Sequence, residues 1–341
     1  MSSMGDVFHT FPALTDAMKA IPDLQVDWVV EEAFQEIPKW HPVVDKVYVI
    51  KLRDWRKHPF RSRPEMKRFF EVINQTQYDL VIDAQGLLKS AWVVNKIKSP
   101  SAGMDWGSAR EKLASLFYNQ RYSVAKQQHA ITRLRELFAK ALHYPQPAED
   151  ALDYHLATQA WRKLPQLADD YVVFLHGTTW DTKLWPETYW IELLHALVAQ
   201  GLQVVLPWGN QEEKQRAERV AKTVENDHTP SGIKAWVPSQ KLDLNTMACC
   251  LKFAKAVVSV DTGLSHVAAA LDVPMVVIYR VTDPKLVGAY GSKVTRLESP
   301  CAPGYIKEFK DSIQEQHSLQ GLDAKSVWQC LENQLELSYE S

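Results

Sequence analysis

The sequence predicts an α/β protein with two Rossmann-like domains, each built on a parallel sheet, that face a cleft. Three observations support this fold class. Short apolar, β-branched runs alternate with helical patterns along the chain. A turn-rich polar segment at 144–150 separates two sets of such runs. The length of 341 residues is sufficient for two domains of ordinary size.

The first set of runs predicts a domain that lacks its opening strand. Residues 1–6 have the pattern of a turn that follows a strand, but no strand precedes them, and a helix is expected at 12–20. A long helix is expected at about 128–142. The strand candidates of this half are residues 25–30, 46–52 and 78–83.

The second set of runs predicts a complete parallel sheet. Its strand candidates are residues 171–176, 203–207, 235–237, 256–261 and 275–279. Helical patterns at 186–200, 211–224 and 245–251 separate them. A last helix at 324–337 fits against either domain. These boundaries define one domain at 1–150, a second at 151–320 and a C-terminal helix at 321–341.

Composition excludes several classes of protein. A hydrophobic content of 46% and a charged content of 23% are typical of globular proteins. The net charge of −2 argues against a general nucleic-acid binder. The four cysteines lack metal-ligand spacing, which indicates inert thiols in a reducing compartment. Without a signal peptide or an apolar run of about 20 residues, a cytoplasmic location is expected.

A basic segment at 51–68 departs from the near-neutral net charge of the whole chain. It holds eight Lys or Arg residues against Asp54 and Glu65, a net charge of +6, with Trp55 and Phe60 among them. A solvated loop followed by a helix start is one interpretation. The other is a site for an anionic partner, either a phosphorylated substrate or an acidic membrane surface.

The most informative turn follows the apolar run 257–260. Asp261, Thr262 and Gly263 lead from this buried strand into a small, apolar helix. The first backbone N–H groups of such a helix suit a phosphate. Because a carboxylate repels phosphate, Asp261 suggests a second part of the ligand, such as a sugar hydroxyl. The turn therefore predicts a nucleotide-sugar site.

A second anion site is predicted in the segment 176–186, at the end of another strand. Thr178 and Thr179 offer hydroxyl and backbone donors, and Lys183 offers a point charge for a diphosphate. The chain contains no G-x-G-x-x-G, no G-x-x-x-x-G-K-[ST] and no D-x-D motif. Neutralisation of a diphosphate must then come from basic side chains and helix N-termini. A polar loop with a capping threonine is the structural alternative.

Three further residues each have two interpretations. His266 lies on the first turn of its helix, where it is either a packing residue or part of the anion site. Glu213 and its neighbour Glu212 are either exposed helix-start carboxylates or acceptors for ribose hydroxyls. Asp6 is either a helix cap or a general base at the end of a strand.

Several segments together resemble the lipopolysaccharide heptosyltransferase family. They are residues 2–10 (SSMGDVFHT), 83–87 (DAQGL), 176–186, 206–209 (LPWG) and 259–266 (SVDTGLSH). The similarity extends from residue 2 to about residue 291, and residues 126–129 (KQQH) favour the type I group over type II. The pairing of SSMGD with VSVDTGLSH is highly specific for this family.

The resemblance implies a GT-B fold with an acceptor-binding first domain and a donor-binding second domain. It implies transfer of L-glycero-D-manno-heptose from ADP-heptose to Kdo2-lipid A, with inversion and without a cofactor or an obligatory metal. A peripheral position on the anionic cytoplasmic face of the inner membrane is expected. The missing first strand leaves a non-catalytic nucleotide-sugar-binding protein as an alternative, and a type II acceptor as another.

The resemblance also implies roles for individual residues. Asp6 is expected to be the general base that deprotonates the acceptor hydroxyl. The expected donor-binding residues are Thr178, Thr179, Lys183, Glu213, Asp261, Thr262, Gly263 and His266. The expected acceptor-binding residues are Arg53, Arg56, Lys57, His129 and Arg133.

Overall fold

The computed structural model describes residues 3–148, 151–225 and 235–337. The chain divides into two compact units, Met1–Thr158 and Gln159–Ser341. The first unit has two parallel sheets and the second has one, and each unit has its own buried core. The sequence places the break slightly earlier, at 144–150, and residues 149 and 150 lie outside the described residues.

The first unit has two separate parallel sheets in its described part. One pairs β1 with β2, and the other has the order β3-β4-β5. The strands are β1 (Val26–Glu31), β2 (Val44–Ile50), β3 (Val81–Ile82), β4 (Ser101–Met104) and β5 (Gln120–Tyr122). The sequence predicts β1 and β2 at their observed lengths but shifted by one and two residues, predicts β3 longer than it is, and misses β4 and β5.

Five α-helices accompany these strands in the described part of the unit. They are α1 (Met4–Ala20), α2 (Leu52–Lys57), α3 (Arg63–Ile73), α4 (Leu88–Val94) and α5 (Ala130–Leu142). Short 3-10 helices lie at Glu32–Phe34, Ile37–Trp40 and Lys112–Phe117.

Helix α1 begins earlier than the sequence predicts. A turn was expected through residue 6 and a helix from residue 12, but α1 starts at Met4, and Pro12 lies inside it. The hydroxyl of Ser3 accepts from the backbone N–H of Asp6 at 3.3 Å and so caps the helix. Every side chain from Val7 to Ala17 is buried. Burial on all sides holds the helix together across the proline, which would ordinarily break it.

A cavity lies between the two sheets of the first unit. Among the described residues, β1 pairs only with β2 and β3 only with β4, so each strand keeps one edge without a strand partner. A cavity of about 230 Å³ is lined by residues of both strands, and by Asp6 of α1 and Phe138 of α5. The hydroxyl of Tyr78 donates to Oδ2 of Asp27 at 2.8 Å and links the two sides. The single continuous sheet of a Rossmann-like domain is therefore divided here.

The second unit has one six-stranded parallel sheet in the order β11-β10-β9-β6-β7-β8. Its strands are β6 (Tyr171–Leu175), β7 (Gln203–Val205), β8 (Ala235–Trp236), β9 (Ala256–Val260), β10 (Met275–Tyr279) and β11 (Val294–Glu298). Strands β6, β9 and β10 are buried along their whole length. This confirms the apolar runs as central strands, whereas β11 was not predicted.

The helices of the second unit flank this sheet. They are α6 (Glu187–Ala199), α7 (Gln211–Lys222), α8 (Leu244–Lys252), α9 (Gly263–Ala270), α10 (Pro284–Val287), α11 (Ser312–His317) and α12 (Ala324–Leu337), with 3-10 helices at Asp181–Lys183 and Ala302–Gly304. Helix α12 has the predicted bounds and packs on this unit, with Val327, Leu331 and Leu335 in its core. In the described part of the chain, no helix is long and apolar enough to cross a membrane.

Stability of the second unit should depend on pH through His176, which follows β6. This side chain is 2% exposed, and its burial, followed by the charge of Arg216, lowers the pKa of the imidazole to about 4. A histidine that stays neutral when folded but protonates near pH 6.5 when unfolded contributes stability above pH 6.5. That contribution is lost as the pH falls toward 4. We expect a loss on the order of 3 kcal/mol from this group.

Urea unfolding between pH 7 and pH 4 measures this effect. The variant His176→Gln should show a shallower dependence of the unfolding free energy on pH than the wild type. The exposed residue His317 provides the control, because His317→Gln should keep the wild-type slope. Equal slopes for the wild type and His176→Gln would contradict the prediction.

Candidate functional site

In the second unit, the carboxyl ends of two adjacent strands bring the predicted donor residues together. Strands β6 and β9 are paired, so the segments that follow them lie side by side. Nζ of Lys183, after β6, lies 2.7 Å from Oδ2 of Asp261, after β9. The hydroxyl of Thr178 donates to the backbone oxygen of Asp261 at 2.9 Å. The two anion segments identified in the sequence thus form one site.

Helix α9 opens directly onto this ion pair. Thr262 is its N-cap and Gly263 its first residue, and the Thr262 side chain makes no capping hydrogen bond. The N-terminal N–H groups of a helix carry partial positive charge, which favours an anion. His266 is buried on the first turn of the same helix. Thr179 is exposed and makes no side-chain hydrogen bond with the described residues.

An aromatic ring joins Lys183 to a second lysine. Nζ of Lys183 lies 4.5 Å from the ring centroid of Trp180, and Nζ of Lys307 lies 5.2 Å from it. The hydroxyl of Thr182 donates to the backbone oxygen of Ile306 at 2.7 Å. This bond fixes the segment that carries Lys307 against the site. Lys307 lies outside the two segments that the sequence predicts as anion sites.

Glu213 takes part in the N-terminal cap of α7, whose N-cap residue is Asn210. Its carboxylate accepts from the backbone N–H of Gly209 at 2.6 Å and from the amide of Asn210 at 3.0 Å. Its own N–H donates to Oδ1 of Asn210 at 2.9 Å, which completes a reciprocal cap on α7. An added Cβ on Gly177 would lie 2.4 Å from Cδ of Glu213. Gly177 therefore lets the carboxylate approach the end of β6.

In the first unit, two donors hold the carboxylate of Asp6, one on each oxygen. Nε2 of Gln85 donates to Oδ2 at 2.7 Å, and Nη1 of Arg110 donates to Oδ1 at 3.1 Å. Asp6 lies in the first turn of α1 and is partly exposed. Its orientation is thus determined by residues distant in the sequence.

A buried network supports Gln85 in turn. Oδ1 of Asp83 accepts from the backbone N–H groups of Gln85 at 2.8 Å and of Gly86 at 3.1 Å. Oδ2 of Asp83 accepts from the hydroxyl of Tyr118 at 2.7 Å. The Tyr118 ring packs on Gly103, where an added Cβ would lie 2.3 Å from it. Gly103 is therefore required for the position of Tyr118.

The charge of Lys89 interacts with that of Asp6 and with that of Arg53 in the basic segment. Burial lowers the pKa of its ammonium group, while the charges of Asp6 and Glu31 raise it and those of Arg53 and Arg110 lower it. Sequence reasoning missed Lys89, Gln85 and Arg110. The first two lie in or beside the segment 83–87 that carried the family resemblance, whereas Arg110 had no signal in the sequence.

A cavity of about 780 Å³ lies beside these groups. Arg53, Arg56 and Lys89 line it, together with the rings of Trp55 and Trp92. The cavity thus combines cations with apolar walls. Lys57 is exposed at the end of α2 and is not among the lining residues.

The other two predicted acceptor residues lie on α5. His129 is the N-cap, and its Nδ1 accepts from the backbone N–H of Ile131 at 3.2 Å. Nη2 of Arg133 donates to the backbone oxygen of Ser108 at 2.5 Å. Burial and then the neighbouring charge of Arg110 lower the pKa of Arg133. Both side chains therefore have structural partners within the unit.

The chain thus has two α/β units with parallel sheets. In the second unit, Lys183 and the start of α9 lie where the strands of the sheet end. This fold and site are those of a glycosyltransferase of the GT-B class. The model of glycosyltransferase family 9 (heptosyltransferase) matches residues 66–316. The chain belongs to this family.

Individual relatives agree with this assignment. Lipopolysaccharide heptosyltransferase 1 of Pseudomonas aeruginosa is 51% identical over 312 residues, which cover 89% of this chain and 83% of that protein. The solved structure of E. coli heptosyltransferase WaaC with ADP has a TM-score of 0.85 and 44% identity over 98% of both chains. WaaC with ADP-2-deoxy-2-fluoro heptose has a TM-score of 0.82 and 44% identity, covering 98% of this chain and 97% of that one.

The contact between Gly177 and Glu213 predicts the effect of a methyl group. Gly177→Ala should displace the Glu213 carboxylate and weaken the cap of α7, which costs about 1 kcal/mol of unfolding free energy. Gly107→Ala provides the control, because the nearest atom to an added Cβ there lies 3.5 Å away. Urea denaturation compares the two variants, and equal stabilities would contradict the role given to Gly177.

Proposed function

We propose that the chain transfers L-glycero-D-manno-heptose from ADP-heptose to a Kdo residue of Kdo2-lipid A, with inversion, in the inner core of lipopolysaccharide. The observation that carries this proposal is the site formed by Lys183, Asp261 and the N-terminus of α9. Membership of a heptosyltransferase family supports it. So do the solved structures of WaaC, one with ADP and one with ADP-2-deoxy-2-fluoro heptose.

The donor's diphosphate would lie against Lys183 and the backbone N–H groups of Thr262 and Gly263. These groups are cationic or carry fixed dipoles, so they stabilise the charge that grows on the diphosphate as ADP leaves. Thr178, Thr179 and His266 lie on the same two segments. Because this charge stabilisation comes from the chain itself, the proposal includes no metal or cofactor.

Asp261 would bind hydroxyls of the heptose. A carboxylate is an acceptor with strong affinity for hydroxyl donors, and it repels phosphate. Glu213 remains the proposed ribose ligand, since its carboxylate lies beside Gly177 at the end of β6. Its capping bonds would be shared with the ribose hydroxyls, because carboxylate oxygens accept more than one hydrogen bond.

Asp6 would act as the general base on the acceptor hydroxyl. A base must be held at a defined position, and the hydrogen bonds from Gln85 and Arg110 supply this constraint. The hydroxyl oxygen attacks the anomeric carbon as Asp6 takes its proton, while the bond from that carbon to the diphosphate breaks. Attack on the face opposite the diphosphate inverts the anomeric configuration.

The acceptor's anionic groups would bind on the basic side of the first unit. Arg53 and Arg56 line the 780 Å³ cavity, and Lys57 extends from the end of the same helix. Arg133 and His129 are proposed to act from α5. Guanidinium groups suit carboxylates and phosphates because they donate two parallel hydrogen bonds.

A transfer assay tests this proposal directly. The wild-type chain should convert ADP-heptose and Kdo2-lipid A to ADP and a heptosylated product. Asp6→Asn should lower turnover by a factor on the order of 10². Its Kd for ADP-heptose should stay within about twofold, because in the proposed mechanism Asp6 contacts the acceptor hydroxyl and acts only in the transition state. The exposed Asp45 provides a matched control, since Asp45→Asn should leave turnover unchanged.

Two results would contradict parts of this assignment. Undiminished turnover by Asp6→Asn would remove Asp6 from the role of base. Product formed with a heptose-bearing core but not with Kdo2-lipid A would place the acceptor one sugar further along. Measuring ADP-heptose binding by calorimetry in parallel separates loss of catalysis from loss of the donor site.

We also propose that the basic segment contacts the anionic cytoplasmic face of the inner membrane. Phe60 is 80% exposed, and the guanidinium carbon of Arg63 lies 5.4 Å from its ring centroid. An exposed aromatic ring among cations is suited to an acidic interface, where each basic residue contributes about 1 kcal/mol. The lipid portion of the proposed acceptor would lie in the same membrane.

Sedimentation with vesicles tests this contact. The wild type should sediment with vesicles that contain phosphatidylglycerol and remain in the supernatant with phosphatidylcholine alone. Phe60→Ser combined with Arg63→Ser should reduce sedimentation severalfold, because it removes the ring and one cation. Phe253→Ser, at a partly exposed phenylalanine of the second unit, is the control. Equal sedimentation with both kinds of vesicle would argue against the proposal.

A further inference from the structure

Two donors share one oxygen of Asp261. Nζ of Lys183 lies 2.7 Å from Oδ2, and the hydroxyl of Thr282 donates to the same Oδ2 at 2.6 Å. Among the residues that the structure describes, none donates a hydrogen bond to Oδ1. The carboxylate is thus held by one oxygen, while the other remains an acceptor at the site.

Thr282 reaches Asp261 from the neighbouring strand. Strands β9 and β10 are paired, and Thr282 lies three residues after β10 ends. The side chain is 4% exposed. Its position is therefore determined by the sheet, in the same way as that of Asp261.

The segment that carries Thr282 is anchored on both sides. The guanidinium of Arg280 donates to the hydroxyl of Ser318 at 2.8 Å and to the backbone oxygen of Leu184, next to Lys183. On the other side, Asp283 caps α10 by accepting from the backbone N–H of Lys285 at 2.8 Å. Because Asp283 supplies the cap, the hydroxyl of Thr282 is available for Asp261.

We propose that Thr282 is a specificity-determining positioning residue for the sugar part of the donor. It holds Oδ2 of Asp261 so that Oδ1 accepts from a sugar hydroxyl. This inference rests on the proposed function and extends it to a residue outside the predicted donor set. Thr282 acts through Asp261, so its effect is confined to ligands that carry the sugar.

The difference between the two donors on Oδ2 gives Thr282 its importance. Lys183 is a cation, and a diphosphate attracts it more strongly than a single carboxylate does. The neutral hydroxyl of Thr282 has no such competing partner. When the nucleotide sugar binds, Thr282 keeps the carboxylate in place while Lys183 turns to the phosphates.

Two substitutions at Thr282 separate the hydroxyl from the shape of the side chain. Thr282→Val removes the hydroxyl and keeps the branched shape, whereas Thr282→Ser keeps the hydroxyl. The second unit also offers a matched control, because the hydroxyl of Thr246 donates to Oδ2 of Asp243 at 3.0 Å, on an exposed helix start. Thr246→Val removes a threonine–aspartate hydrogen bond elsewhere in the same unit.

Calorimetry with ADP and with ADP-heptose measures the effect. Thr282→Val should raise the Kd for ADP-heptose about tenfold and leave the Kd for ADP within about twofold. Thr282→Ser should restore the Kd for ADP-heptose to near the wild-type value, and Thr246→Val should change neither constant. In the transfer assay, KM for ADP-heptose should rise in Thr282→Val more than kcat falls.

Three outcomes would overturn the inference. They are an unchanged Kd for ADP-heptose in Thr282→Val, an equal loss of ADP and ADP-heptose binding, and a failure of Thr282→Ser to restore binding. A wild type that binds ADP-heptose but forms no product would contradict the proposed transfer alone. In that case, the ratio of the two dissociation constants still decides the role of Thr282.

Discussion

The parallel pairing of strands in the second unit is the constraint on which the site depends. Parallel strands end at the same edge of a sheet, so the segments that follow them meet there whatever their distance along the chain. Lys183, Asp261 and Thr282 follow β6, β9 and β10, which are neighbours in the sheet. Lys183 and Asp261, almost eighty positions apart in the sequence, thus come within hydrogen-bond distance. Complete burial of these three strands keeps the edge rigid.

The two carboxylates of interest are held in opposite ways. Asp6 receives one donor on each oxygen, from Gln85 and Arg110, which determines its position and its orientation. Asp261 receives both donors on one oxygen, which leaves the second oxygen for another partner. The first arrangement suits a group that must stay at a defined distance from a reacting hydroxyl. The second suits a group that recognises a ligand.

The sequence predicted the elements of this fold better than their contacts. The bounds of β10 and α12 were predicted correctly, because a continuous apolar run marks β10 and a helical pattern marks α12. Strands β4, β5 and β11 were missed, since they are short or lie at a sheet edge and lack such runs. The segments around Lys183 and Asp261 were predicted as anion sites, and their direct contact adds geometry that spacing could not supply. Contacts such as those of Arg110 and Thr282 depend on tertiary packing and have no local pattern.

The divided sheet of the first unit has a consequence for how that unit moves. Backbone hydrogen bonds make a sheet open and close as one body, and here the pair β1-β2 and the trio β3-β4-β5 form two such bodies. Side-chain contacts, such as that from Tyr78 to Asp27, connect them across the cavity. Each body can therefore exchange its amide hydrogens through its own local opening, with its own free energy. Arg53 follows β2 on one body, and Gln85, which holds Asp6, follows β3 on the other. Movement of the two bodies relative to each other would therefore change the distance between Arg53 and Asp6.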